Sequence, residues 1–566
     1  MTALPSRRRT LAALAICAAA YLCVFPYQPR INNPNENVRL YMTAALSEQG
    51  TYVIDDLRER WGWVNDCAVY EGRAYSVKAP GTSFLGVPAY WLYYQYTQWS
   101  GVSFDRTLAL WLCRVFASIL PWLAFLLFFH RWLGRHTPSP LVRDGIFISL
   151  ALGSCLYGYG MLFMSHTLSA AAAFAGFMIL YDAKHAGRLR SSRAFFAGLL
   201  AASVTLFEYP GFVASAALTI YAVVAVRPYL RLVPFALGAL IPTAAMMHFQ
   251  WRCFGSPFSP GHLYVENDFF RGRHEEGFFG AVGLQPEALY GLLVHPGAGL
   301  LTLTPILIAA VLGFWILLKA QRTRADGLTV LGIFLFTLVG ISFMNNWRGG
   351  WTIGPRYLVL VYPFLGWVAL VGLGPFLERW PKATAAFVVG TTAVGLLLSG
   401  LPSAYYPHYP IPVDRPVTQI VSVLVEHGYA PYALPNLAGI YGGASMIPVL
   451  LLGIGALVWV VMAEPKPRAR MIAAAGGVLI AASIAIPLLI DPRPGHAQID
   501  EANAFITRSW DPEGHDEPAR LEAELALEPS VEGYRRLGDL RAREGRHAEA
   551  RAAHARAEAL ERRAAP

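Results

Sequence analysis

Charged residues are scarce in this chain. Only 15% of its 566 residues are Asp, Glu, Lys or Arg, against about 25% in soluble globular domains, while 55% are hydrophobic. That deficit excludes an ordinary soluble domain and indicates a chain that crosses a membrane several times. Cysteine is also scarce, with six in all, which excludes a disulfide-built scaffold. Cys17, Cys23, Cys113 and Cys155 lie in apolar segments and read as small hydrophobes, whereas Cys67 and Cys253 lie in polar segments where a disulfide between them stays open. Two motifs are missing altogether. No Gly-rich loop ends in Gly-Lys-Ser/Thr and no His-Glu-x-x-His occurs, so neither a P-loop nucleotide site nor a zinc-peptidase helix is encoded.

Long apolar runs are what the chain has in quantity. A helix needs about 20 apolar residues to cross about 30 Å of hydrocarbon. Fourteen segments approach that length: roughly 10–27, 84–99, 108–131, 144–163, 165–182, 194–208, 209–226, 232–250, 291–318, 327–345, 356–375, 384–401, 442–463 and 471–490. The first follows Arg7, Arg8 and Arg9 as a signal peptide would. It lacks a small-residue cleavage site and continues into Gln28-Pro29-Arg30, which marks it as a retained helix.

Basic clusters fix the parity of these spans. Arg131/Arg135/Arg143, Lys184/Arg188/Arg190/Arg193, Arg227/Arg231, Lys319/Arg322/Arg324, Arg379/Lys382 and Lys466/Arg468/Arg470 belong on the cytoplasmic side, and each consecutive pair encloses two spans. Between Arg7–Arg9 and Arg131 three candidates occur where an even number is required. The Tyr- and Trp-rich segment 84–99 is therefore assigned to a juxtamembrane helix in the interface. The expectation is an all-α polytopic protein of thirteen transmembrane helices. Its N-terminus is cytoplasmic, its C-terminus lies on the outer side, and residues 28–107 form one large outer loop.

The tail from residue 491 is different material. It holds 12 basic and 16 acidic residues, against 34 basic and 21 acidic before it, so a charge of about −4 follows a membrane part of about +13. The basic excess is what cytoplasmic loops require and does not point to nucleic acid. Leu525-Ala526-Leu527, Tyr534, Leu537, Gly538, Leu540, Ala550, Ala553 and Ala557 have the spacing of two helices packed at a Gly-containing turn. This resembles one tetratricopeptide unit, with an ordinary helical hairpin as the alternative, and a peptide or partner helix would be its natural ligand.

Residues suited to chemistry gather on the outer side. Glu36 follows the turn-rich Asn32-Asn33-Pro34-Asn35 at the start of a helix, with Arg39 and Tyr41 one turn on, and Asp55 and Asp56 lie further along the same loop. A carboxylate beside an apolar surface suits a general base, although the helix dipole alone also favours one there. Lys78-Ala79-Pro80-Gly81 closes the loop. Ser165-His166 and Glu208-Tyr209-Pro210 stand at later outer turns, and Arg348 and Arg356-Tyr357 flank Gly349-Gly350-Trp351-Thr352-Ile353-Gly354-Pro355. Guanidinium groups bind phosphate oxygens bidentately, so Arg356 is the leading phosphate ligand, with Arg348, Lys78 and Arg39 behind it. A snorkelling anchor is the alternative for Arg356. His262 and His274-Glu275-Glu276 share an outer loop and could hold a divalent ion, although their spacing matches no known site.

The order of Glu36, Tyr41, Ala44-Ala45-Leu46, Gly50, Gly72, Tyr75, Lys78-Ala79-Pro80-Gly81 and Phe84-Leu85 resembles the first outer loop of the membrane glycosyltransferases of the GT-C superfamily. The similarity is to protein O-mannosyltransferases and lipid A aminoarabinose transferases, where an Asp-Glu pair precedes a Lys-Pro-Pro segment. Here these become Asn35-Glu36 and Lys78-Ala79-Pro80. The resemblance implies a 1–490 glycosyltransferase domain in a bacterial inner membrane. It implies inverting transfer from a polyprenyl-phosphate-linked sugar to a lipid, glycan or protein acceptor. Glu36 would be the base, and Arg356, Lys78, Arg39 and Arg348 would be the phosphate ligands. His166, Glu208, Asp55, Asp56, Tyr41 and Tyr357 are further candidates, and a divalent metal is an open requirement. The competing expectations are a transporter or flippase of lipid-linked saccharides, or a scaffold acting through the tail. Against the first, the sequence shows no internal repeat and one isolated mid-span charge, Arg114.

Overall fold

The computed structural model describes residues 6–26, 33–277, 280–490, 497–509, 518, 521–522, 525, 529–543 and 547–564. Apolar runs become helices because hydrocarbon offers no partners to backbone N–H and C=O groups. Among the described residues, seven helices are long and apolar enough to cross a membrane: Arg106–Leu133, Tyr229–Phe254, Arg324–Ser342, Arg356–Arg379, Pro381–Tyr405, Gly442–Val461 and Pro467–Leu489. An eighth span is made if Pro140–Ala151 and Cys155–Met161, bent by 54° at their junction, count as one. Shorter apolar helices, Ser191–Phe207 and Tyr209–Ala225 among them, fill the bundle. The protein is thus an all-α, multi-pass membrane protein. Length and composition give seven or eight spans, and the thirteen expected from charge parity are not established by them.

Helices approach most closely where glycine removes a side chain. A Cβ on Gly198 would meet the Phe235 carbonyl oxygen at 1.8 Å, and one on Gly238 would meet that of Phe195 at 1.9 Å. Ser191–Phe207 and Leu232–Phe254 therefore pack backbone to backbone.

The segment after the first helix folds as a cap with its own core, containing Val38, Met42, Leu57, Cys67, Tyr90, Phe249 and Phe254. Pro34 and Glu36 open the Pro34–Gln49 helix, as a missing N–H and a negative charge favour at an N-terminus, and Gly50 ends it at φ 66°. Cys67–Tyr70 and Arg73–Ser76 pair antiparallel with Tyr70 opposite Arg73. Glu71 and Gly72, at φ 50° and 75°, make the two-residue turn whose twist suits a hairpin. Gly81–Ser100 packs on Pro34–Gln49, exposes Trp91, Leu92, Tyr96 and Trp99, and is not among the span-length apolar helices. Cys67 and Cys253 are both buried free thiols, so the disulfide left open by the sequence is not formed.

In the tail, Ala497–Ser509 seats Ile506 in the main core, and Asn503 Nδ2 donates to the Gln419 carbonyl at 2.7 Å. Val531–Arg543 and His547–Ala564 form a hairpin around Leu525, Leu537 and Ala553.

Candidate functional site

Two cavities meet beneath the cap. The first is a polar chamber of about 330 Å³, lined among others by Asn33, Glu36, Asp66, Arg114 and His408. The second is a larger, mostly apolar groove of about 1140 Å³ between Ser191–Phe207, the Phe212–Ala225 helix and Leu232–Phe254. Asn35, Lys78, His262, Phe270, Asn346, Arg356 and Tyr357 line both, and so mark the junction.

Cations concentrate there. Arg356 donates through Nε to His166 Nε2 at 3.0 Å and through Nη1 to the Gly349 carbonyl at 2.9 Å, leaving Nη2 without an acceptor among the described residues. His166 accepts at Nε2, so its proton lies on Nδ1, which faces Glu208 Oε1 at 3.3 Å. Glu208 also accepts from the Ser165 hydroxyl and lies 3.6 Å from Arg39 Nη2. Arg39 is more than a loose cation. Its Nη1 bonds Asn35, its Nη2 bonds Ser165 Oγ at 2.6 Å, and burial lowers its pKa to about 10. Lys78 Nζ lies 3.0 Å from Asp66 Oδ2. Burial lowers the Lys78 pKa despite that partner. Burial alone would raise Asp66, but the charge and hydrogen bond of Lys78 hold it below the usual carboxylate range. Asp66 sits at φ 64°, a left-handed position that non-glycine residues seldom take and that Asp tolerates best.

Glu36 lines the chamber and not the groove, and is buried and fully engaged. Oε1 accepts from Arg114 Nε at 2.8 Å and from the Phe163 N–H at 2.6 Å. Oε2 accepts from Arg114 Nη2 at 2.7 Å and from Asn33 Nδ2 at 3.1 Å. Arg114 opens a π-helical stretch, Arg114–Ile119, inside the Arg106–Leu133 span, and its guanidinium also lies 4.4 Å over the Phe25 ring. The charge that looks isolated in the sequence is therefore the partner of Glu36. Asn33 Nδ2 continues the chain to His408 Nε2 at 3.0 Å. Burial lowers the His408 pKa to about 4, so its ring is neutral near pH 7.

The structure thus gathers Glu36, Lys78, Arg39, Arg356, Tyr357, His166 and Glu208 around one site. It does not bring in four others. Tyr41 donates to the Trp61 and Gly62 carbonyls, Asp55 accepts from the Ala74 N–H, and Asp56 accepts from Gln49. These contacts fold the cap. Arg348 lines neither cavity, because Gly349 and Gly350, at φ 77° and 84°, turn the chain between it and Arg356. The residues that sequence reasoning missed are Asp66, His408, Asn33 and Asn346. Only the Asn65-Asp66 pair beside a strand carries any local signal. Among the described residues no group of three His, Cys, Asp or Glu side chains could hold a metal. His262 stacks edge-on to Tyr209, and Glu276 accepts from Asn345. The side chain of His274, the remaining expected ligand, lies outside the described residues.

No protein-family model matches the chain, and no curated protein matches it. Solved structures with a similar course include ArnT from Cupriavidus metallidurans in the apo state, at 16% identity and TM-score 0.47, covering 84% of this chain and 76% of that one. ArnT bound to undecaprenyl phosphate follows at 14% and 0.41, over 83% and 77%. The archaeal oligosaccharyltransferase AglB from Archaeoglobus fulgidus, in complex with an inhibitory peptide and a dolichol-phosphate, stands at 11% and 0.41, over 74% and 57%. Likeness of this degree assigns no activity, which has to be argued from the site itself.

Proposed function

We propose that this protein is a membrane glycosyltransferase that moves a sugar from a polyprenyl-phosphate-linked donor, with inversion, to an acceptor on the outer face of the membrane. One observation carries the reading: Lys78 and Arg356 stand where a polar chamber opens into a long apolar groove. A ligand matching both is an amphiphile with a hydrocarbon tail, an anionic head at the junction and a polar group beyond it. A polyprenyl-phosphate sugar has that form, and undecaprenyl phosphate is the lipid named with one ArnT structure.

The chemistry then divides by side. When the sugar–phosphate bond breaks, negative charge grows on the phosphate oxygens. The free Nη2 of Arg356 and the Lys78 ammonium stabilise it, while Arg39, Ser165, Glu208 and His166 hold Arg356 in place. Asp66 is bonded to Lys78 and so sits on the leaving-group side, where it keeps the lysine charged and directed. An inverting attack comes from the opposite side, and of the two chamber carboxylates Glu36 is the one paired with Arg114 and not with the phosphate-side Lys78. Its Oε2 loses its longest contact, the Asn33 amide at 3.1 Å, to the acceptor hydroxyl and takes that proton. Arg114 holds the carboxylate in position until then.

The test is transfer by purified protein from defined polyprenyl-phosphate sugars. Release of polyprenyl phosphate with formation of an inverted glycoside is expected. Retention of every donor unchanged, together with translocation of the same lipids across vesicles, would instead identify a transporter.

A further inference from the structure

A third cavity, of about 340 Å³, lies between the Pro286–Val294 helix and the Asn345–Arg348 turn. It includes Arg273, Asn345 and Asn346, which also line the apolar groove, and Asn346 lines the reaction chamber as well. The cleft therefore adjoins the groove and reaches the proposed reaction chamber at Asn346.

Its walls combine two kinds of group. Trp347 packs against the Pro286–Val294 helix, where a Cβ on Gly291 would meet the indole at 2.1 Å, and Tyr290 adds a half-exposed ring to the lining. Aromatic platforms of this kind match the apolar faces of sugar rings. Arg348 and Arg273 supply charge. Arg348 donates to the Val413 carbonyl at 2.9 Å, Arg273 lies 4.6 Å over the Phe269 ring, and among the described residues neither forms an ion pair. Burial lowers the Arg348 pKa to about 10. Glu287 is the opposing charge in the lining, while the nearby His295 is matched to Asp414 at 3.1 Å. Two guanidiniums without carboxylate partners among the described residues, beside an indole and a phenol ring, suit an anion carried on a sugar.

We propose that this cleft is the acceptor subsite and that the acceptor is a saccharide bearing an anionic group, stacked on Trp347 with its anion on Arg348 and Arg273. The proposal rests on the glycosyltransferase reading and names its acceptor class. Asn346, common to all three cavities, would position the acceptor hydroxyl toward the chamber.

Calorimetric titration of the full-length protein in nanodiscs tests it, with trehalose 6-phosphate, trehalose and inorganic phosphate as probes. Trehalose 6-phosphate should bind about tenfold or more tightly than either other probe, as a charge-assisted pair added to a stacking contact requires. Trp347→Ala and Arg348→Gln should each remove most of that preference, and Arg348→Lys, which keeps the charge, should retain part of it. Equal binding of the two sugars, equal binding of bare phosphate, or an Arg348→Gln protein of unchanged preference would overturn the proposal. Arg273→Gln guards against misfolding of the first variant and should act in the same direction. Undecaprenyl phosphate is titrated in parallel. If it binds while the sugars are not distinguished, the cleft assignment alone fails. If the sugars are distinguished but the lipid does not bind, the donor reading fails and the anionic-saccharide site stands.

Discussion

At the residue scale, the pairing of Glu36 with Arg114 changes how the proposed base must be tested. From the sequence, Glu36→Gln should fold and lose turnover. In the structure that change leaves Arg114 buried without a counter-charge, which costs about 3–5 kcal/mol. We expect Glu36→Gln to lower the Tm sharply, and Glu36→Gln/Arg114→Gln, which removes both charges, to recover much of it in thermal unfolding. If Glu36 is the base, transfer by the double variant stays about 10²- to 10⁴-fold down; recovered transfer would leave Glu36 only a structural role. Arg356→Gln should leave the Tm nearly unchanged and cost about 10²–10³ in kcat, the scale of a lost oxyanion donor, read from initial rates at saturating donor. His408 supplies a pH signature. Its pKa is lowered from 6.5 to about 4, so between these values the unfolded chain binds a proton that the folded one does not. Stability should therefore fall as pH drops from 6.5 toward about 4, and the Tm of His408→Gln should fall less steeply over that window; parallel slopes would count against a buried neutral ring.

At the scale of elements, the groove depends on two helices held close by glycine. Placing Val at position 198 drives a side chain into the Phe235 carbonyl, and overpacking of this kind costs about 1–3 kcal/mol. We expect Gly198→Val to lower the Tm and to weaken retention of a polyprenyl phosphate in a binding assay, while Gly332→Val, where a Cβ meets nothing within 4 Å, should do neither. Much of the helical architecture could be read in the sequence, since helices follow from apolar length, and Glu36, Lys78 and Arg356, which line the chamber, could be singled out because each sits beside turn residues. What could not be read is pairing across the chain. Arg114 and Glu36 are 78 positions apart, and Asn33 and His408 are 375 apart, with no local periodicity to announce either contact. Arg348, expected beside the donor phosphate, lies outside the chamber and the groove for a different reason. Two consecutive left-handed glycines decide which cavity a neighbouring side chain enters, and their φ angles leave no trace in composition.

At the scale of the whole molecule, the tail divides into a part joined to the membrane bundle and a part with a core of its own. Ala497–Ser509 places Ile506 in the main core and bonds Gln419, which lies with His408 in the segment between Pro381–Tyr405 and Gly442–Val461. Val531–Arg543 and His547–Ala564 bury their apolar residues chiefly against each other. Two truncations should therefore behave differently. Removing residues 530–566 deletes the hairpin and should leave transfer and Tm close to those of the full chain. Removing residues 497–566 strips the main core of Ile506 and leaves the Gln419 carbonyl without its Asn503 partner, a loss on the order of 2–4 kcal/mol from one buried aliphatic side chain and one hydrogen bond. Because the exposed segment is continuous with the chamber wall at His408, that truncation should also raise the KM for acceptor more than for donor. Hydrogen exchange across 406–426 would follow the coupling directly, with faster exchange in the longer deletion alone. Equal exchange in both truncations would mean that the tail helix only rests on the segment and does not support it.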